Sequence, residues 1–416
     1  MIRRDLLLTL FGIGAGQAIL LAVMPFLARA YGPAAFGSYA VIVAVAGIVA
    51  TIAALRFDLA LSGAEDASIV PLSRAGLLLP LLTVPFAIAV LALALRLPFG
   101  AHLPFRSDDL SLIGLIALFQ GWVLLGSALS TRRGLFATLA AAKIVQPLVF
   151  AFTALLLLHD LSLAMAVGWA AAMAATLPAW RHLPSSMGWA ETRATMRRLW
   201  RFPAISAPMA LLDVLALSLP LLVFAGAYGE RTAGNYAQVQ RLIGAPLVLV
   251  ATAGGQTFLK HAGDRLRAGV SVLPLIRRFV MVMLALAAVV TVAVALVGQP
   301  ALTFVVGPGW RTDTGFLLLA LLPVLCRVIA SPVSHILVLT QRLATQGLWQ
   351  ISYFLATAGV LAIAPRLFGL EGTLGALACS EFLLYGAYLV LAVRAARAAN
   401  PLPALSSKTR PLSASS

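Results

Sequence analysis

Five ionisable side chains lie inside long apolar stretches of the sequence: Lys143, Asp213, Arg241, Arg327 and Glu381. A charged residue at the centre of a lipid-exposed helix costs roughly 2.5–3.5 kcal/mol. We therefore expect these side chains to point into a helix bundle or a water-filled cavity. There, an arginine suits a diphosphate, because its planar guanidinium donates two parallel hydrogen bonds and stays charged. The pattern indicates a cationic cavity for an anionic ligand, with acids that can titrate.

A plainer structural interpretation exists for each of these charges. Asp213 and Arg241 could form an ion pair between neighbouring helices, and Lys143 lies near the end of its apolar stretch, from which its ammonium could reach the interface. Arg29 and Arg56 lie at the ends of apolar stretches, where anchoring to the interface is the plainer interpretation. Both are kept as candidates for the cationic cavity.

Motifs of other site chemistry are absent from the sequence. There is no HExxH, no Walker sequence, no G-x-S-x-G and no cluster of His and Cys, and Cys326 and Cys379 both lie in apolar stretches. Gly12, Gly14 and Gly16 resemble a dinucleotide fingerprint, but they lie in an apolar stretch without a preceding strand, which favours close helix packing. The sequence predicts no enzyme, cofactor or metal site.

Composition excludes a water-soluble protein. Of 416 residues, 61% are hydrophobic and 11% are charged, whereas soluble domains carry about 25% charged residues. The excess apolar surface must face lipid. The net charge of +16 comes from basic residues interleaved with apolar stretches, without a basic domain that could hold a duplex. We therefore expect membrane lipids as partners and no nucleic acid.

Twelve stretches are long enough to cross a bilayer, which takes about 20 largely apolar residues. The predicted spans are Leu6–Ala28, Phe36–Leu55, Leu77–Leu95, Leu110–Leu129, Ala137–Leu158, Leu161–Trp180, Ala204–Tyr228, Asn235–Phe258, Leu273–Val297, Phe316–Thr340, Leu348–Ala364 and Gly372–Val393. The shortest is Leu348–Ala364. The predicted fold class is an all-α membrane protein with about twelve membrane-spanning helices in two pseudo-symmetric six-helix bundles.

Loop charges predict the orientation. With both termini in the cytoplasm, the inner connections and tails hold 21 Lys and Arg residues and the outer connections hold 6. Basic residues are enriched on the cytoplasmic side of membrane proteins. We expect a multi-pass membrane protein with both termini cytoplasmic. The basic face attracts anionic lipid by about 1 kcal/mol per residue.

A ten-residue pattern occurs twice in the chain. Residues 31–40 and residues 228–237 share the pattern Y-G-x(4)-G-[S/N]-Y-A, 197 residues apart, and each copy joins the first two spans of its half. Because an even number of spans separates the copies, the halves are predicted to be parallel repeats. The predicted organisation is a first bundle at 1–180, a cytoplasmic linker at 181–203, a second bundle at 204–393 and a cytoplasmic tail at 394–416.

Short motifs along nearly the whole chain resemble the polysaccharide transporter family of Wzx-type flippases. They are PFLARAYGP (25–33), FG (36–37), LRFDLA (55–60), FP (202–203), Pro208, LP (219–220), AGNYA (233–237), QRLIGAP (240–246), VGPGW (306–310) and ASP (330–332). That family belongs to the multidrug/oligosaccharidyl-lipid/polysaccharide exporter superfamily. The lipid II flippases of the superfamily resemble this chain distantly and carry two further spans.

The resemblance implies two six-helix bundles around a central cavity with alternating access. It implies a location in the bacterial inner membrane and transfer of undecaprenyl-diphosphate-linked oligosaccharides across it, with a polysaccharide polymerase and glycosyltransferases as partners. On this hypothesis Arg241 and Arg327 attract the diphosphate, Lys143 aids entry, and Asp213 and Glu381 are the candidates for ion or proton coupling.

Two other functions remain open. A small-molecule exporter of the multidrug type would share the architecture, but its cation sites would be lined by acids and aromatic residues, in which this chain is poor. A membrane glycosyltransferase or polymerase would need a large surface loop with catalytic carboxylates, and the predicted connections are short.

Overall fold

A computed structural model describes residues 2–98, 100, 103–157, 160–181 and 188–399 of the chain. These residues form helices and connecting turns, and no strand occurs among them. The helices are α1 (Ile2–Ala53), α2 (Phe57–Ser62), α3 (Asp66–Arg96), α4 (Asp109–Arg132), α5 (Phe136–Phe152), α6 (Leu161–Trp180), α7 (Trp189–Arg198), α8 (Ala207–Tyr228), α9 (Glu230–Val239), α10 (Ala245–Arg267), α11 (Leu273–Ala293), α12 (Gln299–Val306), α13 (Thr314–Ala330), α14 (His335–Leu339), α15 (Leu343–Leu367) and α16 (Leu370–Ala398).

The predicted all-α membrane fold is confirmed. Within the described residues, eleven helical stretches are long and apolar enough to cross a membrane. The first of them, Leu7–Ala53, has 47 residues and contains the first two predicted spans, which meet at the non-helical Gly32. The short predicted span Leu348–Ala364 lies inside α15. The predicted number of spans therefore fits the structure.

Wide helical turns join several of these helices into longer spans. Single π turns lie at Phe202–Ser206, Gln240–Gly244 and Val294–Gly298, immediately before α8, α10 and α12. Each of those three helices has a proline in its first two positions. Because proline has no N–H group, it interrupts the regular bonding pattern where each helix begins.

The two copies of the ten-residue pattern have the same backbone break. Gly32 has φ 71° and ψ 175°, and its counterpart Gly229 has φ 85° and ψ 169°. Only glycine adopts this conformation readily. The shared break supports the prediction that the two halves are repeats, although their boundaries as separate bundles stay a prediction.

The two copies also pack against each other. A Cβ atom added to Gly37 would overlap the carbonyl oxygen of Glu230, and one added to the equivalent Gly234 would overlap that of Pro33. The contact is therefore symmetric. Phe36 is fully buried beside it. The halves meet at the face that the loop charges predict to be external.

Glycines also set the distance between α1 and α5. An added Cβ at Gly12 would collide with Ala140, and one at Gly16 would collide with the carbonyl oxygen of Lys143. Close packing at Gly12 and Gly16 confirms the packing interpretation for these two positions. Gly14 has no such neighbour. Lys143 is thus held beside α1 by backbone contact.

The predicted linker contains a surface helix, α7, in its described part. Arg198 at its end donates to the hydroxyl of Ser68 on α3 at 2.6 Å, and the guanidinium of Arg74 lies over the ring of Trp189. Residues 182–187 and the tail beyond residue 399 lie outside the described residues.

Candidate functional site

Arg241 occupies the π turn that joins α9 to α10. Next to it, Gln240 Nε2 donates to the carbonyl oxygen of Ala320 at 3.0 Å and ties the turn to α13. The Arg241 guanidinium carbon lies 4.5 Å from the ring centroid of Tyr39 and 6.0 Å from that of Phe36. Isolated π turns are frequent at functional sites. Here the turn places the guanidinium of Arg241, in the second repeat, against the rings of Tyr39 and Phe36 in the first repeat.

The environment of Arg241 leaves part of its donor capacity unused. Its Nη1 atom is buried and finds no hydrogen-bond partner among the described residues. The face of an aromatic ring attracts a cation, but unlike a carboxylate it does not accept a strong hydrogen bond. The Nη1 N–H group of Arg241 therefore stays without an acceptor in the described part of the protein.

Arg241 lines a cavity of about 230 Å³ between α1, α5 and α6. An adjoining cavity of about 390 Å³ contains Lys143. The two share the lining residues Gln17, Leu20, Gln146 and Trp169. The two adjoining cavities are thus lined by two cations, two amides and an indole. Neither described lining contains a carboxylate. This region is called the cationic cavity below.

A separate cavity of about 620 Å³ lies in the second half and contains Asp213 and Arg327. Asp213 accepts a hydrogen bond from Gln350 Nε2 at 2.8 Å. The Nε atom of Arg327 is buried without a hydrogen-bond partner among the described residues. Further polar lining comes from Ser331, Ser334, His335 and Gln346. This region is called the polar cavity below.

An aromatic stack forms one wall of the polar cavity. The ring of Trp349 is parallel to that of Tyr388 at 3.8 Å and lies 5.1 Å from that of Tyr353. The hydroxyl of Tyr353 donates to Glu381 Oε1 at 2.9 Å. Glu381 is only 4% exposed. This acid is therefore enclosed behind the stack, whereas Asp213 is exposed.

Four of the site residues predicted from the sequence are divided between the two cavities. Arg241 and Lys143 line the cationic cavity, and Arg327 and Asp213 line the polar cavity. The alternative ion pair between Asp213 and Arg241 is not found among the ion pairs of the described residues. The two arginines predicted to act together thus lie in different cavities.

Arg29 and Arg56 line neither cavity in the described part of the chain. The Arg29 guanidinium donates to the carbonyl oxygen of Phe304 and lies over its ring, so it joins α1 to α12. Arg56, in left-handed conformation before α2, lies 3.7 Å from Asp58. Both contacts agree with a structural role at the helix ends.

Four residues of the cationic cavity escaped prediction because they carry no charge: Gln17, Tyr39, Gln146 and Trp169. Polar side chains within membrane spans usually face the bundle interior. The two glutamines therefore gave a usable signal, because they interrupt apolar stretches. No comparable signal distinguishes Tyr39 and Trp169 from aromatic residues of the core.

No family model matches the sequence, and no curated protein matches it. The fold, however, is similar to solved transporters. An inward-facing multidrug resistance MATE transporter of the MOP superfamily has a TM-score of 0.59 and 13% identity, with 94% of this chain and 95% of that one covered. The lipid II flippase MurJ in an inward closed conformation has a TM-score of 0.67 and 12% identity, with 93% and 87% covered.

A MOP superfamily transporter from Pyrococcus furiosus gives a TM-score of 0.56 at 13% identity, with 94% of each chain covered. At these identities the likeness establishes the fold. The chain is a multi-pass membrane protein with the MOP-type transporter fold.

Proposed function

We propose that the protein is a flippase for lipid-linked oligosaccharides that carry a diphosphate. The observation that carries the proposal is the cationic cavity, where Arg241 presents a buried, unpartnered N–H donor beside a second cation, Lys143. Such a site attracts an anionic ligand. It has no carboxylate in its described lining that could neutralise a cationic ligand. The motifs shared with polysaccharide transporters favour a lipid-linked sugar as that anion.

The lining residues of the two cavities suit the two parts of such a headgroup, the diphosphate and the sugars. A diphosphate requires charged donors, which Arg241 and Lys143 supply. Sugar hydroxyls require neutral donors and acceptors, which Gln346, Gln350 and Ser334 supply in the polar cavity. In the proposed complex the diphosphate binds in the cationic cavity, the sugars reach toward the polar cavity, and the polyprenyl tail stays in lipid.

Transport in this proposal uses the symmetric contact between the repeats as the closed gate. Gly37 and Gly234 close the predicted external face, so the headgroup enters from the predicted cytoplasmic face. Separating the two glycines and closing the opposite face would expose the headgroup outside. We place this cycle in the bacterial inner membrane, as the resemblance to polysaccharide transporters implies, with both termini cytoplasmic, as the loop charges predict.

The test is leaflet accessibility of a labelled undecaprenyl-diphosphate oligosaccharide in proteoliposomes. We expect protein-dependent movement of the sugar to the opposite leaflet. The double variant Arg241→Gln/Lys143→Gln should lose most of this activity. The matched control is Arg96→Gln/Arg366→Gln, which removes the same charge at two exposed positions outside the described cavities and should retain the activity.

The outcomes separate the roles of the two cavities. Full transport by the correctly inserted double variant would contradict the cationic cavity as the diphosphate site. Arg327→Gln should change the preference among sugars more than it changes the overall rate, because Arg327 lies in the polar cavity.

A second candidate function is small-molecule export of the multidrug type. The polar cavity favours it, because Asp213 lies there with Trp349, Tyr385 and Tyr388, the acid and aromatic residues that bind organic cations. Against it, Arg327 lies in the same cavity and repels a cationic ligand.

Binding of an organic cation distinguishes the two functions. Quenching of tryptophan fluorescence by a quaternary ammonium dye, abolished in Asp213→Asn and unchanged in Arg241→Gln, would favour the exporter. Protein-dependent flipping of the labelled sugar, together with absence of dye binding, would favour the flippase.

A further inference from the structure

An apolar groove of about 730 Å³ lies between α11 and α16, away from both cavities described above. Its apolar lining consists of Leu273, Ile276, Val280, Met281, Leu389 and Val393. Ligand sites in proteins have volumes of roughly 300–1,000 Å³. The groove is therefore large enough to hold an extended hydrocarbon chain.

Three arginines line the same groove: Arg277, Arg278 and Arg397. All three are exposed, and none forms an ion pair with another described residue. No acidic residue contributes to the described lining. The cations lie at the beginning of α11 and the end of α16, which the loop charges predict to be the cytoplasmic membrane interface.

A smaller cavity of about 290 Å³ adjoins this end of the groove and shares Leu273 and Arg397 with it. It is lined by the turn between α10 and α11, including Gly269 and Ser271. Arg265 Nη1 donates to the carbonyl oxygen of Ser271 at 3.0 Å and holds the turn in place. The site thus has an apolar compartment and a more polar one, with Arg397 at the junction.

We infer that the groove between α11 and α16 is a binding site for an anionic phospholipid of the surrounding bilayer. The phosphate pairs with Arg277, Arg278 and Arg397, and an acyl chain occupies the apolar groove. Charge complementarity selects this occupant, because basic pockets between spans at the cytoplasmic side bind anionic headgroups. The inference is independent of the transported substrate.

Exposed apolar side chains in and beside the groove support a bilayer lipid as its occupant. Met281 is 60% exposed and Val390, beside Leu389, is 50% exposed, so this part of the helix pair presents apolar side chains outward. Such side chains face hydrocarbon in a spanning helix. A lipid reaches the groove laterally from the leaflet, with its phosphate at the level of the arginines.

Native mass spectrometry and thermal unfolding in detergent test the site, with phosphatidylglycerol as the probe and phosphatidylcholine as the neutral-headgroup comparison. We expect phosphatidylglycerol to bind more tightly and to raise the Tm of the full chain more. Each arginine replaced by glutamine should weaken phosphatidylglycerol binding roughly five-fold, because an attraction of about 1 kcal/mol is lost per basic residue.

The variant is Arg277→Gln/Arg278→Gln/Arg397→Gln. Its matched control, Arg193→Gln/Arg197→Gln/Arg394→Gln, removes the same charge at exposed positions outside the described groove lining. We expect the groove variant to lose the preference for phosphatidylglycerol and the control to keep it. Equal losses in both would overturn the inference in favour of diffuse surface charge.

A second pair of variants tests the apolar part of the site without changing charge. Leu389→Trp fills the groove, whereas Val390→Trp places the same ring on the adjacent exposed position. We expect only Leu389→Trp to weaken phosphatidylglycerol binding. Stabilisation by inorganic phosphate equal to that by the lipid would show a free-anion site and contradict a phospholipid site, as would identical binding by both tryptophan variants.

Discussion

The guanidinium of Arg241 lies over the ring of Tyr39, with 4.5 Å between its carbon and the ring centroid. Tyr39 belongs to the first copy of the repeated pattern, and Arg241 follows the second copy by four residues. The contact is worth roughly 0.5–2 kcal/mol. It holds the Arg241 guanidinium at the junction of the repeats without a carboxylate, and the buried Nη1 atom keeps an N–H donor that an anion could use.

Replacing the ring tests whether Tyr39 positions Arg241. Tyr39→Phe keeps the aromatic face, so we expect transport of the labelled oligosaccharide within about two-fold of the wild type. Tyr39→Leu removes the cation–π attraction of roughly 0.5–2 kcal/mol, and we expect a reduction between about two-fold and thirty-fold. The leaflet-accessibility assay measures both, and equal transport by the two variants would show that the ring does not orient Arg241.

The symmetric contact of Gly37 with Gly234 predicts a strong penalty for a single added methyl group. Gly37→Ala and Gly234→Ala should each lower the Tm, because the added Cβ overlaps backbone that cannot move aside within a helix. Overpacking typically costs about 1–3 kcal/mol. Thermal unfolding in detergent is the measurement.

Gly47→Ala provides the control for these variants. Gly47 lies in the same helix as Gly37, and an added Cβ there meets nothing within 4 Å. Alanine is the better helix former, so we expect an unchanged or higher Tm. Equal Tm values for Gly37→Ala and Gly47→Ala would mean that the two repeats do not pack closely in the folded protein.

Much of the fold could be predicted from the sequence, because a helix that crosses a bilayer must have a minimum length and an apolar surface. Spans must be long and apolar, and the described helices follow the predicted spans. The repeated Y-G-x(4)-G pattern is predicted to join the first two spans of each half, and the structure has a backbone break at Gly32 and Gly229 within the two copies. The pattern could not show that the two copies contact each other, because contact depends on how the repeats are placed.

The site was accessible only in part. The cost of a buried charge predicts that Arg241 and Arg327 avoid lipid, but it does not predict which cavity each one lines. Their assignment to different cavities follows from the π turn at 240–244 and from the packing of α13. Local spacing carries no such information. Gln17 and Gln146 carry no charge, and only their interruption of apolar stretches could have indicated them.

Glu381 and Tyr353 should prove to be energetically coupled. Tyr353→Phe removes the hydroxyl that donates to the buried Glu381, and leaving a buried acceptor unpaired costs about 1–3 kcal/mol. Glu381→Gln retains an acceptor for that hydroxyl, so we expect a smaller loss of stability. The free energies of unfolding of Tyr353→Phe, of Glu381→Ala, which removes the acceptor, and of the corresponding double variant give the coupling energy, and strict additivity would contradict a direct interaction.

The same acid is a candidate for coupling transport to a proton gradient. Because Glu381 is buried behind the aromatic stack, a change in its protonation should influence the packing of α15 on α16. We expect Glu381→Gln to transport at a rate that no longer responds to an imposed gradient. Asp213→Asn, which alters the exposed acid of the polar cavity, serves as the comparison. A wild-type gradient response in Glu381→Gln would exclude this role.

The ion cluster that joins the connection between α12 and α13 to α16 predicts a pH dependence of stability in the acid range. Arg311 donates to Asp313 Oδ2 at 2.6 Å and to Glu371 Oε1 at 2.5 Å. Burial opposes ionisation of Asp313, but the hydrogen bonds from Arg311 and from the Phe316 amide, with the charge of Arg311, hold the pKa of Asp313 below its ordinary value. The folded state therefore favours the ionised carboxylate.

It follows that the stabilisation by Asp313 is fully present above the pKa of the unfolded chain, about 3.9, and is lost as pH falls through the lower pKa of the folded state. Asp313→Asn keeps an oxygen that can accept from the Phe316 amide but removes the charge. We expect this variant to unfold at a lower Tm than the wild type at pH 6, with the difference shrinking below about pH 4. The effect should be modest, because Asp313 is half exposed, and an equal Tm for the two proteins at pH 6 would show that Asp313 acts through capping alone.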